Sequence, residues 1–471
     1  MHWQPKRQAT LSMTKQIIEW MTQQIESGEW PNGMKLPAQR TFALQLGVNR
    51  STLQEAIEEL KADGLLIAKR GAATYVSVNA WTQLLARREP NWQRYIDQSV
   101  HKANLKTIQL INEFEQVPTM IRLGTGESSP KLIPSADIQA SLQHISLDGH
   151  ALGYSPPQGS MKLRQAICQH VKKRGIDRTP DNICIVSGAL QALQLIAAGL
   201  LDPQSIVLQP AFSYLQSIQT FQSFGVNLKQ MTNWHEDELL AIKKNRQTMI
   251  YTIPTLHNPT GQTMNRAEQR DLMQLAENTR IPILEDDVYG ELQFGDAMTA
   301  LKAQDQHGQV VYVGSLSKTL SPGLRIGWVI APQPVATRLA DIKMQMDYGS
   351  SAVSQEIATL WLESGRYEQH IEWLRQQLQR RAHKMELFLM KHFAHLADWA
   401  PSTGGFYIWL RFKAPIVTTE LFLEMLKKGV IIHPGYVYGK GDQHHMRLSY
   451  GYAEQAEWEH ALLLLKEAIK K

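Results

Sequence analysis

Residues 315–327, SLSKTLSPGLRIG, decide the fold of the larger part of this 471-residue chain. They follow an apolar run at 310–313 (VVYV) that has the composition of a buried strand. Lys318 stands between hydroxyl residues, and Arg325 follows seven positions later. This combination suits an aldehyde that bears a phosphate, because the amine can form a Schiff base while the hydroxyls and the guanidinium bind the phosphate dianion. A surface lysine is the alternative for this residue taken alone, so the surrounding sequence has to decide.

Upstream of this stretch, residues 281–289 (IPILEDDVY) have the pattern of a buried strand that ends in acids. A carboxylate at the C-terminal end of a strand lies where open α/β sheets bind their ligands. We expect Asp286 to take that place, where an acid keeps a pyridine nitrogen protonated, and Tyr289 follows three positions later. The alternative is that Asp286 and Asp287 only cap the next turn.

Two earlier segments have the same strand-and-turn character. Residues 250–254 (IYTIP) form a strand pattern that leads into the turn 257–261 (HNPTG), where Asn258 can donate to a ring oxygen; the alternative is an ordinary turn. Residues 183–193 (ICIVSGALQAL) predict a strand and then a helix opened by glycine. The free amides of Ala189 and Leu190 at such a helix start can bind a phosphate.

Together these segments resemble the fold-type I pyridoxal-phosphate (PLP) enzymes, specifically the class I/II aminotransferases, over about residues 120–470. The resemblance implies that PLP is the cofactor, that Lys318 is its Schiff-base lysine and that Asp286 pairs with the pyridine nitrogen. It also implies contacts to the ring oxygen and to the phosphate by the following residues: Tyr289, Asn258, Ser315, Ser317, Arg325, Ala189 and Leu190.

Three more positions match that family. Phe212, in 210–213 (PAFS), matches the aromatic residue that stacks on the ring, and Tyr154, in 153–159 (GYSPPQG), matches a tyrosine that reaches the phosphate from the other subunit. Arg447, in 446–450 (MRLSY), matches the arginine that clamps a substrate α-carboxylate; the alternative is a surface arginine at a strand end. Ala189 and Leu190 stand where relatives often carry a hydroxyl and an amide, and Phe212 lacks the hydroxyl of a tyrosine. Backbone contacts to the phosphate survive these departures, so the sequence still predicts cofactor binding, but it does not predict efficient turnover.

The N-terminal region has a different texture, with short helical patterns followed by a hairpin pattern. Apolar residues repeat every four positions at Ile17, Met21 and Ile25, which predicts one buried helix face that ends before Gly28. A second helix is predicted from Pro37 to the turn at 47–48, and a third is predicted to follow the cap residue Asn49. Residues 65–68 and 74–78 then predict two strands around a basic tip.

This order of helices and strands predicts a winged helix–turn–helix, in which the start of the second helix of the motif enters the DNA major groove. The stretches 36–40 (LPAQR) and 46–52 (LGVNRST) resemble the GntR family of bacterial regulators over about residues 10–78, although Gln54 departs from the arginine of many members. The alternative is a small helical domain with merely solvated arginines. We expect contacts to bases, phosphates or the minor groove from Arg40, Asn49, Arg50, Ser51, Thr52, Gln54, Arg70 and Gly71.

Composition agrees with a globular chain of more than one domain, because hydrophobic residues make up 43% and charged residues 20%. The two cysteines, Cys168 and Cys184, form no CxxC pair, and no Cys/His cluster has zinc-binding spacing, so we expect reduced thiols and no metal site. No signal-like apolar core and no apolar run of roughly 20 residues is present. We therefore expect a cytoplasmic protein that does not span a membrane. The net charge of +5 permits nucleic-acid binding without demonstrating it.

The expected fold class is α/β with two domains. Residues 10–78 are predicted to form the winged helix–turn–helix, and residues 79–118 a partly helical linker. Residues 119–471 are predicted to form a large fold-type I PLP-dependent transferase-like α/β domain, with a small C-terminal α+β subdomain.

This pairing of domains resembles the MocR/GabR-like subfamily of GntR regulators. The resemblance implies a head-to-tail homodimer that binds double-stranded promoter or operator DNA. By hypothesis, an amino-acid-like effector is held by Arg447, exchanges into an aldimine in place of Lys318, and biases the arrangement of the DNA-binding modules. Two alternatives remain open: a working aminotransferase with an appended DNA-binding module, and a plain repressor whose second domain holds no cofactor.

Overall fold

A computed structural model describes residues 3–6, 11–69, 73–77, 95–96, 99–143, 145, 153–232, 234–295 and 298–469. The chain divides into two compact units, Met1–Ser99 and Val100–Lys471. Among the described residues, no helix combines the length and the apolarity needed to cross a membrane.

In its described residues, the first unit has three helices and one hairpin: α1 (Met13–Glu26), α2 (Gln39–Leu46), α3 (Arg50–Ala62), β1 (Leu66–Lys69) and β2 (Ala73–Val76). The strands pair antiparallel, with Leu66 opposite Val76. This architecture confirms the predicted winged helix–turn–helix. Helix α2 begins two residues later than the prediction from Pro37, because Ala38 is still extended as the N-cap. Asn49 stands at the N-cap of α3 as predicted, but its side chain makes no capping hydrogen bond.

The predicted helix faces form the core of the first unit. Ile17, Met21 and Ile25 of α1 are fully buried, and so are Phe42 of α2 and Leu53 of α3. Full burial of one such side chain stabilises a domain by about 1.5–3 kcal/mol. The core therefore fixes α3 on its apolar side and leaves its polar side exposed.

Before its main sheet, the described part of the second unit contains three α-helices and one short strand: α4 (Lys106–Phe114), β3 (Ile121–Arg122), α5 (Ser135–Leu142) and α6 (Met161–Lys172). The following strands make one seven-stranded sheet: β4 (Ile183–Val186), β5 (Ile206–Pro210), β6 (Asn227–Met231), β7 (Thr248–Thr252), β8 (Ile283–Asp286), β9 (Val310–Ser315) and β10 (Gly327–Ile330). Their order is β4-β10-β9-β8-β7-β5-β6, and only β10 runs antiparallel to its neighbours.

Helices cover this sheet, and a smaller subdomain follows it. The helices along the sheet are α7 (Ala189–Leu200), α8 (Glu236–Lys243), α9 (Arg266–Thr279), α10 (Gln333–Met346) and α11 (Ala352–Glu363). The C-terminal elements are α12 (Arg366–Phe393), β11 (Ala397–Asp398), β12 (Tyr407–Phe412), α13 (Thr419–Lys427), β13 (Val430–Ile431), β14 (His433–Pro434), β15 (His445–Ser449) and α14 (Gln455–Ala468). Strands β4, β7, β8 and β9 are buried along their whole length, as expected for a sheet covered on both faces. The predicted α/β fold with a C-terminal α+β subdomain is confirmed.

The end of the predicted linker belongs to the second unit. Strand β3 pairs in parallel with β13, and Leu123 N donates to Ile431 O at 3.0 Å. Ile108 of α4 packs with Val437 and Tyr438 of the C-terminal subdomain. The prediction of a linker over residues 79–118 therefore needs correction from residue 100 onward, because this segment belongs to the second unit and makes apolar contacts with its distant C-terminal part. Residues 78–94 lie outside the described part of the chain.

Candidate functional site

A cavity of about 450 Å³ opens at the carboxyl ends of the parallel strands. Parallel strands bring the residues that follow them to one edge of the sheet, where α/β proteins bind ligands. Asp286 ends β8, Ser315 ends β9, and Asn258 follows β7. Ten predicted site residues line this one cavity: Ala189, Leu190, Asn258, Asp286, Tyr289, Ser315, Ser317, Lys318, Arg325 and Arg447.

Lys318 directs its amine into the cavity. Its Nζ donates to the carbonyl of Gly126 at 2.7 Å. A Cβ on Gly126 would lie 2.5 Å from the Tyr407 hydroxyl, so the chain requires glycine at this close approach. The surface-lysine alternative is therefore wrong.

One end of the cavity has the features of an anion site. Arg325 has a left-handed backbone (φ 54°), and its Nη2 donates to the Ser187 carbonyl at 2.7 Å. Gly188 (φ 82°) opens helix α7 beside it, and a Cβ there would lie 2.7 Å from Arg325 Nη2. The first amides of α7, at Ala189 and Leu190, have no partner within the helix and carry its positive dipole end.

Two hydroxyls complete this end. Ser315 Oγ lies 3.0 Å from Ser317 Oγ and 3.1 Å from the Ile326 carbonyl, and it accepts from the Ser317 amide at 3.1 Å. Hydroxyls, helix amides and a guanidinium therefore meet at one point, which is the donor set that binds a phosphate.

Asp286 is a buried acid that lines the same cavity. The Tyr251 hydroxyl donates to its Oδ2 at 2.8 Å, whereas Oδ1 is buried without a hydrogen-bond partner among the described residues. Burial raises the pKa of Asp286 to about 6, and the neighbouring Asp287 adds to the rise, while Tyr251 and Lys318 oppose it. A buried carboxylate with a free oxygen is able to accept a hydrogen bond from a protonated ligand nitrogen.

The adjacent Asp287 belongs to a separate buried ion pair. Arg174 Nη2 and the Tyr312 hydroxyl donate to Asp287 Oδ2 at 2.8 and 3.0 Å. Burial nevertheless raises the pKa of Asp287, against the attraction of Arg174. The two consecutive acids therefore face different partners, which contradicts the alternative that both only cap a turn.

Tyr289 and Asn258 both line the cavity, but each has a protein partner. The hydroxyl of Tyr289 lies 2.8 Å from that of Tyr407, and burial raises the pKa of Tyr289 well above its usual value. Asn258 Oδ1 accepts from Arg447 Nη1 at 2.7 Å. Tyr407 was not identified from the sequence.

Phe212 does not line the cavity, contrary to the sequence prediction. Its ring packs against Trp409 and His445, with centroids at 5.2 and 4.9 Å. Tyr214, two residues later, lines the cavity instead. Burial raises the pKa of Tyr214 to about 12, and Asp286 contributes to the rise. Tyr214 is thus the aromatic residue after β5 that is available to a ligand.

Tyr154 also lies away from this cavity. Its side chain is 81% exposed, and its ring lies 4.9 Å from that of Tyr348, itself 60% exposed. Tyr154 therefore does not line the cavity of its own chain. The same is expected of a residue that reaches the site of the other subunit.

Arg447 is a buried residue of the cavity with several protein partners. Its Nε and Nη2 both donate to the Gly124 carbonyl, at 3.1 and 2.7 Å. Its guanidinium lies between the rings of Tyr407 and Tyr438, at 4.2 and 4.9 Å. Because Arg447 is 4% exposed, the alternative of a surface arginine is wrong.

The DNA-contact candidates form an exposed strip of the first unit. Asn49, Arg50, Ser51 and Gln54 are exposed at the start of α3, Thr52 is half-buried, and Arg40 is exposed on α2. The apolar side of α3 is buried in the core. Arg70 and Gly71, predicted at the wing tip, lie outside the described residues.

Comparison with known proteins identifies a family for each of the two domains. Residues 13–76 match the gntR family of bacterial regulatory proteins, and residues 118–463 match aminotransferase class I and II. The chain is 42% identical over its full length to the uncharacterized HTH-type transcriptional regulator YisV of Bacillus subtilis (strain 168), covering 98% of that protein. It is 32% identical over 93% of its length to the HTH-type transcriptional regulator NorG of Staphylococcus aureus (strain N315), covering all of that protein.

A solved structure supports the fold of the larger unit. The kynurenine aminotransferase of Pyrococcus horikoshii, crystallised with PMP, is 28% identical, with a TM-score of 0.73 over 82% of this chain and 98% of that one. By its larger domain the chain belongs to the aminotransferase class I and II family. As a whole it belongs with the regulators that join a GntR-type DNA-binding domain to an aminotransferase domain, as in the MocR/GabR-like subfamily.

Proposed function

We propose that this protein is a PLP-dependent, DNA-binding transcriptional regulator that senses an amino compound at Lys318. The observation that carries the proposal is the convergence of Lys318, Asp286 and Arg325 on one cavity, in a chain whose helix α3 has an exposed polar side. Because its target is DNA, we propose that it acts in the cytoplasm.

The cavity fits PLP at three points. Oδ1 of Asp286, which has no partner in the described part of the chain, suits a protonated ring nitrogen, and the Arg325 end suits a phosphate. The amine of Lys318 lies on the same cavity. When bound, PLP supplies an aldehyde that condenses reversibly with amines. Tyr289, Asn258 and Tyr214 line the cavity where they would orient the ring.

An effector would meet two basic groups of the chain. Its amine would take the place of the Lys318 amine, and a carboxylate, where it has one, would bind Arg447. An effector changes operator affinity only if it binds two arrangements of the protein with different affinities. The proposal therefore requires that operator affinity of the protein depends on the effector.

Two measurements test the proposal. The purified protein should absorb visible light because of PLP bound through Lys318, and Lys318→Ala should lose that band while keeping its fold. A panel of amino compounds should shift the band, and the compounds that do so should change the affinity for promoter fragments in a shift assay at fixed salt. A wild-type protein that absorbs no visible light after incubation with PLP would refute cofactor-dependent sensing and leave the plain repressor.

A second candidate is a working aminotransferase. The observation in its favour is that Lys318, Asp286 and Arg447 all line the cavity. Turnover of amino acids with a keto acid at ordinary enzyme rates, on the order of 1–1000 per second, would favour the enzyme. Single-turnover chemistry without sustained transamination would favour the sensor.

We also propose a head-to-tail homodimer in which Tyr154 completes the phosphate site of the other subunit. The exposure of Tyr154 and of its neighbour Tyr348 supports this arrangement. Sedimentation should give a dimer, and Tyr154→Ala should weaken PLP binding without lowering the melting temperature. A monomer that binds PLP as tightly as the dimer would contradict it.

A further inference from the structure

The guanidinium of Arg447 is held by four hydrogen bonds to three partners. Besides the two bonds to the Gly124 carbonyl, Nη1 donates to Asn258 Oδ1 at 2.7 Å and Nη2 donates to His433 Nδ1 at 3.1 Å. A guanidinium has five N–H groups in a planar fork. Its orientation is therefore fixed by Asn258 and His433 on one edge and by Gly124 on the other.

His433 acts toward Arg447 as an acceptor. Burial and the charge of Arg447 lower the pKa of His433 to about 4, so the ring is neutral at pH 7. The Tyr438 hydroxyl also lies 3.1 Å from Nδ1. Since Nδ1 receives a hydrogen bond from Arg447, the ring proton lies on Nε2. His433 is 7% exposed, and its Nε2 has no hydrogen-bond partner among the described residues.

Glu115 faces that nitrogen from the end of helix α4. Its Oε1 lies 3.7 Å from His433 Nε2, and both residues line the cavity. Burial opposes ionisation of Glu115, but His433, Thr125 and Arg122 together lower its pKa. A carboxylate at the C-cap of a helix is unfavourable to the helix dipole. The position of Glu115 is therefore not explained by the stability of α4.

We propose that His433 is a positioning residue for Arg447, and that Glu115 fixes the His433 ring, so that helix α4 is joined to the arginine that binds a ligand carboxylate. This inference rests on the proposed function, because it concerns the same cavity. His433 and Asn258 hold one edge of the guanidinium. The other edge is where a ligand carboxylate binds, and it takes the place of the Gly124 carbonyl.

The test separates the carboxylate of a ligand from its amine. L-alanine and L-leucine are titrated into the PLP-loaded protein beside ethylamine and 3-methylbutylamine, which lack the carboxylate, and the shift of the visible band gives each affinity. The wild type should prefer each amino acid to its matching amine. His433→Leu should reduce this preference about tenfold or more, which is the usual worth of a hydrogen bond to a charged group. The affinity for the amines should stay unchanged.

Three further variants support this reading or refute it. His433→Gln keeps an acceptor for Arg447 and should restore much of the preference, and Glu115→Gln should reduce it in the same direction but less. The control is His445→Leu, because His445 stands on the neighbouring strand β15, is bound to Asp442 and does not line the cavity; it should leave the preference unchanged.

Four results would overturn the inference while leaving PLP binding at Lys318 intact. They are a wild type that does not prefer amino acids, a His433→Leu variant that weakens acids and amines equally, a His433→Gln variant no better than leucine, and a Glu115→Gln variant with no effect. If His433→Leu does not fold, the inference is still tested by the preference of the wild type and by that of His433→Gln.

Discussion

Replacing Asp286 with asparagine should stabilise the larger unit when no cofactor is bound. The folded chain raises the pKa of this carboxyl from 3.8 to about 6, so the folded state binds more protons than the unfolded state between these values. The contribution of this carboxyl to the free energy of unfolding is therefore greatest below pH 4, where the group is protonated in both states. That contribution is lost as the pH rises through the folded-state pKa of about 6. Asparagine has no charge to bury, and its Oδ1 still accepts the hydrogen bond from Tyr251.

The size of the effect follows from the two pKa values. Linkage makes the ionised carboxylate cost about 1.6 kcal/mol of folding free energy at pH 5 and about 3 kcal/mol at pH 7.5. We therefore expect the advantage of Asp286→Asn to grow by about 1.4 kcal/mol between these pH values. The measurement is urea unfolding of the cofactor-free protein, followed by tryptophan fluorescence of the larger unit.

Asp305→Asn is the matched control, because Lys302 lies 2.7 Å from the Asp305 carboxylate and, against the effect of burial, helps to lower its pKa. A lowered pKa contributes stability that is already complete above pH 4, so this variant should lose the same amount at pH 5 and at pH 7.5. The reasoning about Asp286 would be refuted if Asp286→Asn were less stable than wild type at pH 7.5, or if its advantage did not grow with pH. With PLP bound the sign should reverse, since the variant loses the carboxylate that pairs with the ring nitrogen.

Three more substitutions have defined outcomes. Gly188→Ala should weaken PLP binding about tenfold or more, measured by absorbance titration, because its Cβ would displace the guanidinium 2.7 Å away; Gly365→Ala, with a similar φ but open space, should not. Arg174→Met leaves a buried carboxylate without its cation and should cost about 3–5 kcal/mol in urea unfolding; a loss below about 1 kcal/mol would contradict this. Arg50→Ala should weaken operator binding by about 1–3 kcal/mol in a shift assay, whereas Lys61→Ala, at the other end of the same helix, should leave it unchanged.

The part of the site that was predictable lies next to strand ends. Lys318 and Asp286 each follow or end a short apolar run, and parallel strands bring such positions to one edge of a sheet. The local sequence therefore indicates both the buried strand and the functional residue at its C-terminal end. The same logic applies to Asn258, Ala189 and Leu190, which line the same cavity because each follows an apolar strand.

Phe212 shows where local sequence stops being sufficient. Both Phe212 and Tyr214 follow β5, and nothing within that segment decides which ring turns toward the cavity. A Cβ on Gly439 would lie 2.6 Å from the ring of Phe212, so this distant glycine makes room for it. The Trp409 ring completes that place. The space that holds the Phe212 ring exists only once the C-terminal subdomain has folded. With Phe212 placed there, Tyr214 is the residue that lines the cavity.

Tyr251 is a missed residue for which the sequence did hold a signal. It stands inside β7, whose residues are all buried, and a buried tyrosine hydroxyl needs a partner. Its neighbour strand β8 ends in Asp286, and the two strands pair with Tyr251 opposite Leu284. A polar group within an apolar strand, next to a strand that ends in an acid, was enough to predict their hydrogen bond.

The surroundings of Arg447 could not be predicted, because they join segments that are far apart along the chain. Gly124 follows β3, Asn258 follows β7, and His433 lies on β14. Pairing of β3 with β13 brings Gly124 close to His433. The backbone of Leu123 is hydrogen-bonded to that of Ile431 and to that of Ser449. If a ligand carboxylate takes the place of the Gly124 carbonyl, Gly124 has to move while residue 123 is held in this pairing. The displacement of Gly124 then acts on residues 115–123, the segment that joins helix α4 to the cavity. Binding of a carboxylate at Arg447 and the position of helix α4 are therefore expected to depend on each other.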